Sequence, residues 1–252
     1  MKRPSEIDMP TLGLGTYKLH KAEAVRQALD IGYRHIDTAE YYRNEEMIGE
    51  VLASHQVPRE EVFITSKVWN NHHGYQPARD AAANSLQQLG TDYFDLYLIH
   101  WPRDDGRRLD TWHAFEEMLQ EGRSRAIGVS NFESSHIEDI LQDGDVPPAV
   151  NQIELHPWNY QQQKSTIDFC WEHDIIVEAY SPLNQGSGWG NPTLQAVAAS
   201  HDAHPTQILI AWSLQHDFVC IPKASSREHL LANFQAAELT LSDEEMHDLD
   251  TL

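Results

Sequence analysis

The sequence is poor in cysteine and has no long apolar run, and each shortage excludes a class of protein. Two cysteines, Cys170 and Cys220, are too few and too isolated for a disulfide framework or a cysteine-ligated zinc site. No stretch of about eighteen apolar residues is present, and the first ten residues, MKRPSEIDMP, contain no apolar signal region. We therefore expect a cytoplasmic protein that neither spans a membrane nor is exported by a signal peptide.

Positive charge is also scarce, because 18 Lys and Arg residues face 39 Asp and Glu residues, for a formal net charge of −21. Nucleic acids and anionic membrane surfaces would repel such a chain, so neither is an expected partner. Any phosphate-binding site must therefore be a local cluster of positively charged groups. The acidity fits adaptation to high salt or a surface biased toward solubility, and net charge does not decide the fold.

The chain alternates short apolar segments with segments of helical period. The predicted strands lie mostly about 25–30 residues apart, as strand-plus-helix units require. They are residues 12–15, 35–37, 62–67, 93–100, 125–130, 149–154, 175–180 and 218–222. The predicted helices are residues 22–31, 47–53, 78–89, 112–119, 137–141, 165–171, 194–199, 207–214 and 228–236.

This alternation predicts an α/β fold, a closed parallel (β/α)₈ TIM barrel formed as a single domain by residues 1–252. A doubly wound open sheet is the alternative. That fold would place a GxGxxG motif after the first strand, and the segment Gly13-Leu14-Gly15-Thr16 does not complete it.

Residues 33–46, YRHIDTAEYYRNEE, form the most informative stretch. Asp37 ends a short strand, and Asn44 is predicted to cap the next helix, so two adjacent tyrosines fall in the intervening loop. Two other strands end near Lys67 and His100. Because the carboxyl ends of barrel strands share one face, these groups are expected to meet there. Asp, Tyr, Lys and His together suit proton transfer by a tyrosine whose pKa a cation lowers.

Seven motifs carry a resemblance to a known family: GYRHIDTAEYYRNEE, FITSKVWN, YLIHWP, IGVSNF, NQIELHP, AYSPL and IPKASSREHLLANF. With these motifs in this order, the chain resembles the aldo-keto reductases over nearly its whole length. The resemblance implies a monomer-prone (β/α)₈ barrel that reduces aldehydes and ketones with a reduced nicotinamide dinucleotide, usually NADPH. It also implies a catalytic tetrad of Asp37, Tyr42, Lys67 and His100. The family's spacing selects Tyr42 over its neighbour Tyr41.

In the implied mechanism, Tyr42 protonates the carbonyl oxygen while the nicotinamide donates a hydride, and no metal takes part. A free phenol has a pKa near ~10, which the Lys67 ammonium would lower while Asp37 holds that ammonium. His100 would hydrogen-bond the carbonyl oxygen. Taken singly, each residue has a plainer interpretation: a helix cap for Asp37, a rim tyrosine, a solvated lysine, and a packed core histidine for His100.

The resemblance also implies the cofactor residues. Ser130, Asn131 and Gln152 would bind the carboxamide, and Tyr180 would stack on the nicotinamide ring. Residues on the pyrophosphate side would be Ser181, Leu183, Asn184 and Gln185, with Thr16 and Asp37 also near the cofactor. Phosphate would lie at the start of the last predicted helix, on Lys223, Ser225, Arg227 and Asn233.

Three positions in the last motif depart from the family pattern. Ala224 replaces the usual serine, His229 the usual arginine, and Ala232 the common glutamate. An imidazole that is mostly neutral at pH 7 is a weaker phosphate ligand than a guanidinium. We therefore expect relaxed cofactor use, with NADPH modestly favoured and NADH possible.

Aromatic residues flank the tetrad and are expected to line the substrate pocket together with His100: Tyr17, Trp69 and Trp101. Barrel-rim packing is their other interpretation. The chain is short at both termini compared with the family, so we expect an open pocket without a carboxyl-terminal lid. Such a pocket predicts broad use of small or medium aldehydes, α-ketoaldehydes and activated ketones.

Two other functions use the same features. One is a nicotinamide-binding regulatory subunit with little turnover. The other is an isomerase or aldolase with Lys67 as its Schiff-base amine. The histidine pairs His72/His73 and His201/His204 lack partners at metal-ligand spacing, and we expect them to be exposed loop residues.

Overall fold

The computed structural model describes residues 7–103 and 106–252. Its strands are β1 (Leu14–Gly15), β2 (His35–Asp37), β3 (Phe63–Val68), β4 (Leu96–Ile99), β5 (Ile127–Ser130), β6 (Val150–Glu154), β7 (Ile176–Tyr180) and β8 (Val219–Cys220). Its α-helices are α1 (Ala22–Ile31), α2 (Glu45–Ser54), α3 (Tyr75–Leu89), α4 (Arg108–Gln120), α5 (Ser134–Asp143), α6 (Pro157–Glu172), α7 (Pro192–Ser200), α8 (Pro205–Gln215), α9 (Arg227–Gln235) and α10 (Asp243–Asp250).

The strands form one parallel sheet in the order β1 to β8, and the sheet closes on itself. Leu12 pairs with Cys220 in parallel, and the Gly13 amide donates to the Cys220 carbonyl at 2.9 Å. The Cys220 amide in turn donates to the Thr11 carbonyl at 2.7 Å. These bonds join the last strand to the first, so the predicted (β/α)₈ barrel is confirmed and the open sheet is excluded.

All predicted helices and strands are found in the predicted order, although several bounds differ. Most helices are longer than predicted, and β4 is shorter than the predicted strand of residues 93–100. Helix α10 was missed. Its signal is a capping box in which Ser242 and Glu245 hydrogen-bond each other's backbone amides at 2.8–3.3 Å.

Side chains two residues apart along each strand point into the barrel, and they form layers. The lower interior is apolar and contains Met9, Phe63, Leu96, Leu98, Ala126, Val150, Ile176 and Val219. The intervening side chains, such as Tyr97 and Ile99, pack outward against the helices. Above the apolar layer the interior becomes polar, with Asp37, Lys67, Gln152 and Glu178 all buried. Burying a polar group without a hydrogen bond or an ion pair costs free energy, so the groups of this polar layer need such partners.

A separate polar group closes the amino-terminal end of the barrel, and we call it the floor cluster: Arg59, Tyr93, Asp95 and Arg125. The Asp95 carboxylate accepts from the Ile64 amide at 2.9 Å and pairs with Arg59 at 2.9 Å and Arg125 at 3.0 Å. Both guanidinium groups lie over the Tyr93 ring, at 4.2 and 4.0 Å from its centroid. The floor cluster therefore ties the starts of β3, β4 and β5 together.

Two local predictions are wrong. Asn44 precedes α2, but its side chain makes no cap: it accepts from the Thr38 hydroxyl at 2.7 Å and donates to the Thr16 and Leu19 carbonyls. The Asn44 side-chain amide connects two barrel loops, so it is not available to cap the helix. His73 is fully buried rather than exposed. Its neighbour His72 is exposed, as predicted.

In the other histidine pair, too, one side chain is exposed and the other is not. His204 is exposed, whereas His201 is half-buried and pairs with Glu245 at 3.0 Å. Across residues 7–103 and 106–252, no three potential metal-ligand side chains cluster. None of the helices described combines the length and apolar composition that crossing a bilayer requires.

Candidate active site

A buried ion pair lies at the carboxyl end of the barrel. The Lys67 ammonium, on β3, donates to both Asp37 carboxylate oxygens at 2.7 and 2.6 Å and to the Thr38 carbonyl at 2.8 Å. Lys67 is 0 % and Asp37 2 % exposed. An ammonium has three N–H donors, and all three are used. The cation is therefore fixed in one position although no water reaches it.

The Asp37 carboxylate receives a third donor, the Gln152 side-chain amide, at 2.8 Å. Burial raises the pKa of Asp37, while the positive charge of Lys67 and these hydrogen bonds act in the opposite direction. A carboxylate that accepts from an ammonium through both oxygens is held in its charged form. The pair therefore adds no net charge to the barrel.

Tyr42 ends a short 3-10 helix, Glu40–Tyr42, that follows β2. Its ring centroid lies 5.2 Å from the Lys67 nitrogen and 5.7 Å from the His100 ring. The structure thus brings together the four residues of the expected tetrad, one from each of three strands and one from a loop. Its neighbour Tyr41 also lines the cavity, but it is 48 % exposed and stacks on Trp69.

The expected effect of Lys67 on the acidity of Tyr42 is wrong in direction. Burial raises the pKa of the Tyr42 hydroxyl well above its ordinary value, and the charges of Asp37, Tyr17 and Glu178 raise it further. The physical reason is that Asp37 neutralises Lys67, so the cation cannot outweigh burial. Tyr42 consequently holds its proton at neutral pH, the state that a proton donor needs.

His100 directly follows β4 and is 7 % exposed. Burial, and then the charge of Lys67, lower the pKa of His100 to about 2, so its imidazole is neutral at physiological pH. Its Nδ1 atom is buried with no hydrogen-bond partner among the described residues. The ring lines the central cavity, 4.9 Å from the Trp69 ring. A neutral imidazole at a cavity wall can donate one hydrogen bond to a bound oxygen.

Four of the expected cofactor residues form one hydrogen-bonded chain along the cavity wall. The Tyr180 hydroxyl donates to the Asn131 amide oxygen at 2.8 Å, and the Asn131 amide nitrogen donates to the Ser130 hydroxyl at 3.0 Å. Ser130 then donates to the Gln152 carbonyl at 2.9 Å. Asn131 has a φ of 63°, in the left-handed region, and its amide also donates to the His100 carbonyl. The chain fixes these polar groups before any ligand binds.

Sequence reasoning missed Glu178, on β7. It is 0 % exposed and accepts from the Gln152 amide at 2.8 Å. Burial, together with the charge of Asp37, raises the pKa of Glu178 to about 8. The available signal was an acid inside the apolar strand IIVEAY, two residues before Tyr180 and on the same strand face.

The loop between β7 and α7 forms another wall of the cavity. Ser181, Leu183 and Gln185 line it, whereas Asn184 does not. Trp189, which sequence reasoning missed, also lines it and donates its indole N–H to the Leu183 carbonyl at 2.8 Å. Because both residues belong to this loop, the bond stabilises the conformation of the loop itself.

The expected phosphate residues divide into two groups. Lys223 is exposed and lines the cavity, as does Lys18, which was not predicted. The others lie outside the cavity lining: Ser225 and Arg227 are exposed around the start of α9, and Asn233 is buried in that helix. Thr16, expected near the cofactor, is also outside the lining; it is buried and its hydroxyl donates to the Asp37 carbonyl at 2.8 Å. Ser226, also not predicted, caps α9 by accepting from the His229 amide at 3.3 Å. Two basic side chains, Lys18 and Lys223, therefore line the cavity, and the start of α9 follows Lys223 in the chain.

The cavity has a volume of about 740 Å³, and its rim is aromatic. Tyr17 and Trp101 are 48 % and 41 % exposed, and Trp69 stacks on Tyr41 with centroids 4.0 Å apart at 20°. Glu40 holds this rim by accepting from the Trp69 amide at 2.9 Å. Exposed aromatic rings around a cleft are typical of a small-molecule site.

Comparison with known proteins agrees with this geometry. The model of the Aldo/keto reductase family matches residues 11–252. The chain is 42 % identical to the glyoxal reductase of Bacillus subtilis, covering 100 % of this chain and 92 % of that protein. It is also 42 % identical to the 9,11-endoperoxide prostaglandin H2 reductase of Trypanosoma cruzi, covering 98 % of this chain and 89 % of that protein.

A solved structure is similarly close. A mutant of Gox0644 in complex with NADPH superposes with a TM-score of 0.91 at 37 % identity, covering 96 % of this chain and 89 % of that one. Similarity at this level extends through the whole barrel and is not confined to the motifs.

Proposed function

Because the chain belongs to the aldo-keto reductase family, we propose that it is an NAD(P)H-dependent enzyme that reduces aldehydes and activated ketones to alcohols. The observation that carries this proposal is the group of Tyr42, His100 and the Asp37–Lys67 pair at one cavity mouth. A protonated phenol beside a neutral imidazole and a fixed cation suits protonation of a carbonyl oxygen.

When bound, a reduced nicotinamide would supply the hydride that reduces the carbonyl carbon. Tyr42 gives its hydroxyl proton to the carbonyl oxygen, which leaves a phenolate next to Lys67. The ammonium, held by Asp37, stabilises that phenolate until solvent returns a proton. His100, neutral at physiological pH, donates a hydrogen bond to the carbonyl oxygen and orients it. The products would be the alcohol and the oxidised nicotinamide, and the proton from solvent regenerates the phenol.

The residues along the cavity wall fit a nicotinamide dinucleotide. Ser130, Asn131 and Gln152 present amide and hydroxyl groups that are already ordered, and the Tyr180 ring lies beside them. We propose that these side chains hold the carboxamide and the nicotinamide ring. At the other end, phosphate groups would meet Lys223 and the basic and capping residues around the start of α9.

We propose NADPH as the favoured cofactor and NADH as an accepted one. In support, the Gox0644 structure contains NADPH, whereas His229 and Ala224 weaken the expected phosphate site in this chain. A preference of about a thousandfold for either cofactor at matched concentrations would contradict relaxed use.

The proposed substrate range is broad and includes small or medium aldehydes, α-ketoaldehydes and activated ketones. Support comes from the large cavity with its exposed aromatic rim, which offers apolar contact but few fixed polar contacts of its own. The two relatives with equal identity carry names for very different substrates, glyoxal and a prostaglandin endoperoxide. A substrate panel that yields one tight and exclusive substrate would contradict this breadth.

The test follows NADPH absorbance with an α-ketoaldehyde for wild type and Tyr42→Phe. Loss of the proton donor should lower the turnover rate by roughly 10²–10⁴-fold and leave NADPH affinity unchanged. Tyr93→Phe, the same substitution in the floor cluster, is the matched control and should retain the rate. Equal rates for wild type and Tyr42→Phe would overturn the mechanism.

Two alternatives give different results in the same assay. A regulatory subunit would bind NADPH without carbonyl-dependent oxidation. A Schiff-base enzyme would be trapped by borohydride without nicotinamide, but Lys67 has all three ammonium hydrogens donated to acceptors, which disfavours a free amine. We further propose that the protein is a cytoplasmic monomer.

A further inference from the structure

Glu178 is a buried acid that the proposed mechanism does not use. It lies on β7 inside the barrel, is 0 % exposed, and is linked to the tetrad through a single side chain. The Gln152 amide nitrogen donates one hydrogen to the Asp37 carboxylate and the other to the Glu178 carboxyl group, both at 2.8 Å. Asp37 and Glu178 are therefore bridged by one amide group.

This bridge fixes the orientation of the Gln152 side chain. Asp37 is held as a carboxylate and can only accept hydrogen bonds, so the group that faces it must be the amide NH₂. With both of its hydrogens used inside the barrel, Gln152 has only its amide oxygen left for the cavity that it lines. Asp37 fixes one of the two amide hydrogens, and Glu178, as the second acceptor, keeps the other hydrogen inside the barrel and away from the cavity.

Burial, and then the charges around Glu178, set its protonation. Glu178 faces two residues of β2: Asp37, and His35, whose Nε2 atom lies 3.6 Å from Glu178 Oε1. Lys67 lies on β3, Cys220 on β8, and Tyr42 at the cavity. Burial lowers the pKa of His35 to about 3, so His35 supplies no positive charge, and the charge of Lys67 is taken by Asp37. With a pKa of about 8, Glu178 is a neutral carboxylic acid at pH 7.

We propose that Glu178 is a positioning residue for the reduction: its carboxyl group orients the Gln152 amide and, by keeping its proton, prevents a second negative charge beside Asp37 and Tyr42. This inference rests on the proposed function for its kinetic consequence. An ionised Glu178 disfavours ionisation of Tyr42, since its negative charge acts on the phenol through the barrel interior. Tyr42 would then give up its proton less readily.

The kinetic consequence is a pH dependence with a definite direction. As pH rises through about 8, Glu178 ionises and carbonyl reduction should slow. Since one unit of pKa on Tyr42 corresponds to a factor of ten, we expect kcat of the wild type to be roughly 10-fold lower at about pH 10 than at about pH 7. Glu178→Gln keeps an acceptor for the Gln152 amide but cannot ionise, so this decrease should be lost.

Two further variants separate a positioning role from a merely structural one. Glu178→Met removes the acceptor of the second amide hydrogen, so the Gln152 side chain is held by Asp37 alone and can tilt about that one hydrogen bond. The dissociation constant for NADPH should then rise roughly 5-fold by fluorescence titration. Glu116→Gln changes a buried acid that holds the Asp145 and Val146 amides far from the cavity. It should keep the wild-type pH profile and NADPH affinity even if it lowers the melting temperature.

Infrared titration of the wild type tests the protonation without any variant. The absorption of a buried carboxylic acid should be present at about pH 6, disappear through about pH 8, and be missing from Glu178→Gln. Absence of this band in the wild type at about pH 6 would overturn the inference, as would a Glu178→Gln profile that still falls above pH 8. Unchanged NADPH affinity in Glu178→Met would overturn the orienting role.

Failure of the proposed function has a different signature. A wild type that oxidises no NADPH with any carbonyl compound would refute the reductase. The infrared and NADPH-binding measurements would in that case still decide whether Glu178 holds a proton and orients Gln152.

Discussion

The barrel contains a buried aspartate at each end, and the partners of the two differ. At the floor, Asp95 pairs with Arg59 and Arg125, whose side chains remain 20 % and 55 % exposed. At the mouth, Asp37 pairs with Lys67, which is fully enclosed. The floor cations keep part of their hydration, whereas the mouth cation has exchanged all of its water for three protein oxygens.

This difference indicates separate roles. A partly hydrated guanidinium that also stacks on Tyr93 ties strands together at small desolvation cost. A fully buried ammonium carries a large desolvation cost, and burial of this kind is weak evidence for a stabilising role. The mouth pair faces a cavity with Tyr42 beside it, which is where a cation of fixed position serves chemistry. The floor should therefore matter for stability alone, and the mouth for both stability and turnover.

The largest expected effect comes from Lys67→Met. It leaves Asp37 buried without its cation, so the free energy of unfolding should fall by about 3–5 kcal/mol and turnover by about 10²–10⁴-fold. Urea unfolding and NADPH oxidation measure the two. Adding Asp37→Asn should restore much of the stability but none of the activity. A Lys67→Met protein as stable as wild type would contradict the cost assigned to the unpaired acid.

Asp95→Asn tests the floor cluster. The substitution weakens the contacts to both arginines, and the free energy of unfolding should fall by about 1–3 kcal/mol. Because the change lies at the opposite end of the barrel, kcat/KM should equal that of wild type. If kcat/KM fell as it does for Lys67→Met, the separation of the two ends would be wrong.

Low pH should lower the free energy of unfolding through two buried histidines. His35 and His100 have pKa values of about 3 and about 2 in the folded protein, below the ordinary value of 6.5. The unfolded chain therefore takes up protons first, and stability present above pH 6.5 is lost as pH falls. Each histidine should remove ~1 kcal/mol between about pH 6.5 and 5.5. Urea unfolding of His35→Gln should show a shallower decline, and an identical slope would contradict its low pKa.

The smallest expected effect lies outside both aspartate clusters. His229→Arg adds a permanent charge in the first turn of α9, where a phosphate group is expected. The ratio of kcat/KM for NADPH to that for NADH should rise by roughly 5–10-fold, while stability stays within about 0.5 kcal/mol. Initial rates with both cofactors measure the ratio. Lys223 also lines the cavity. A ratio that does not change would therefore indicate that the phosphate group binds at Lys223 and not at residue 229.

Alternation along the chain was sufficient to predict the barrel, because strand and helix periods are local properties of sequence. The same alternation places Asp37, Lys67 and His100 inside the barrel, each two residues from another inward side chain. Glu178 follows the same rule but was missed, because the tyrosine that ends the strand IIVEAY was the only residue of that strand predicted to belong to the site. Helix α10 was missed although its capping box was present in the sequence.

Other errors needed long-range information. Whether Asn44 caps a helix or connects two loops depends on the carbonyl groups of Thr16 and Leu19, which lie 28 and 25 positions away in another loop. The direction of the Tyr42 pKa depends on which of Lys67, Asp37 and burial dominates. Burial and the neutralisation of one charge by another exist only once the strands have come together.

The amino-acid sequence by itself determined the strand and helix periods, the barrel and the residue types at each strand end. Only the tertiary structure decided which of those groups are charged, where Gln152 points, and how the aromatic rim encloses its cavity. The reason is physical: periodicity follows from backbone geometry over a few residues, whereas desolvation and charge coupling join groups far apart in the chain, such as Asp37 and Glu178.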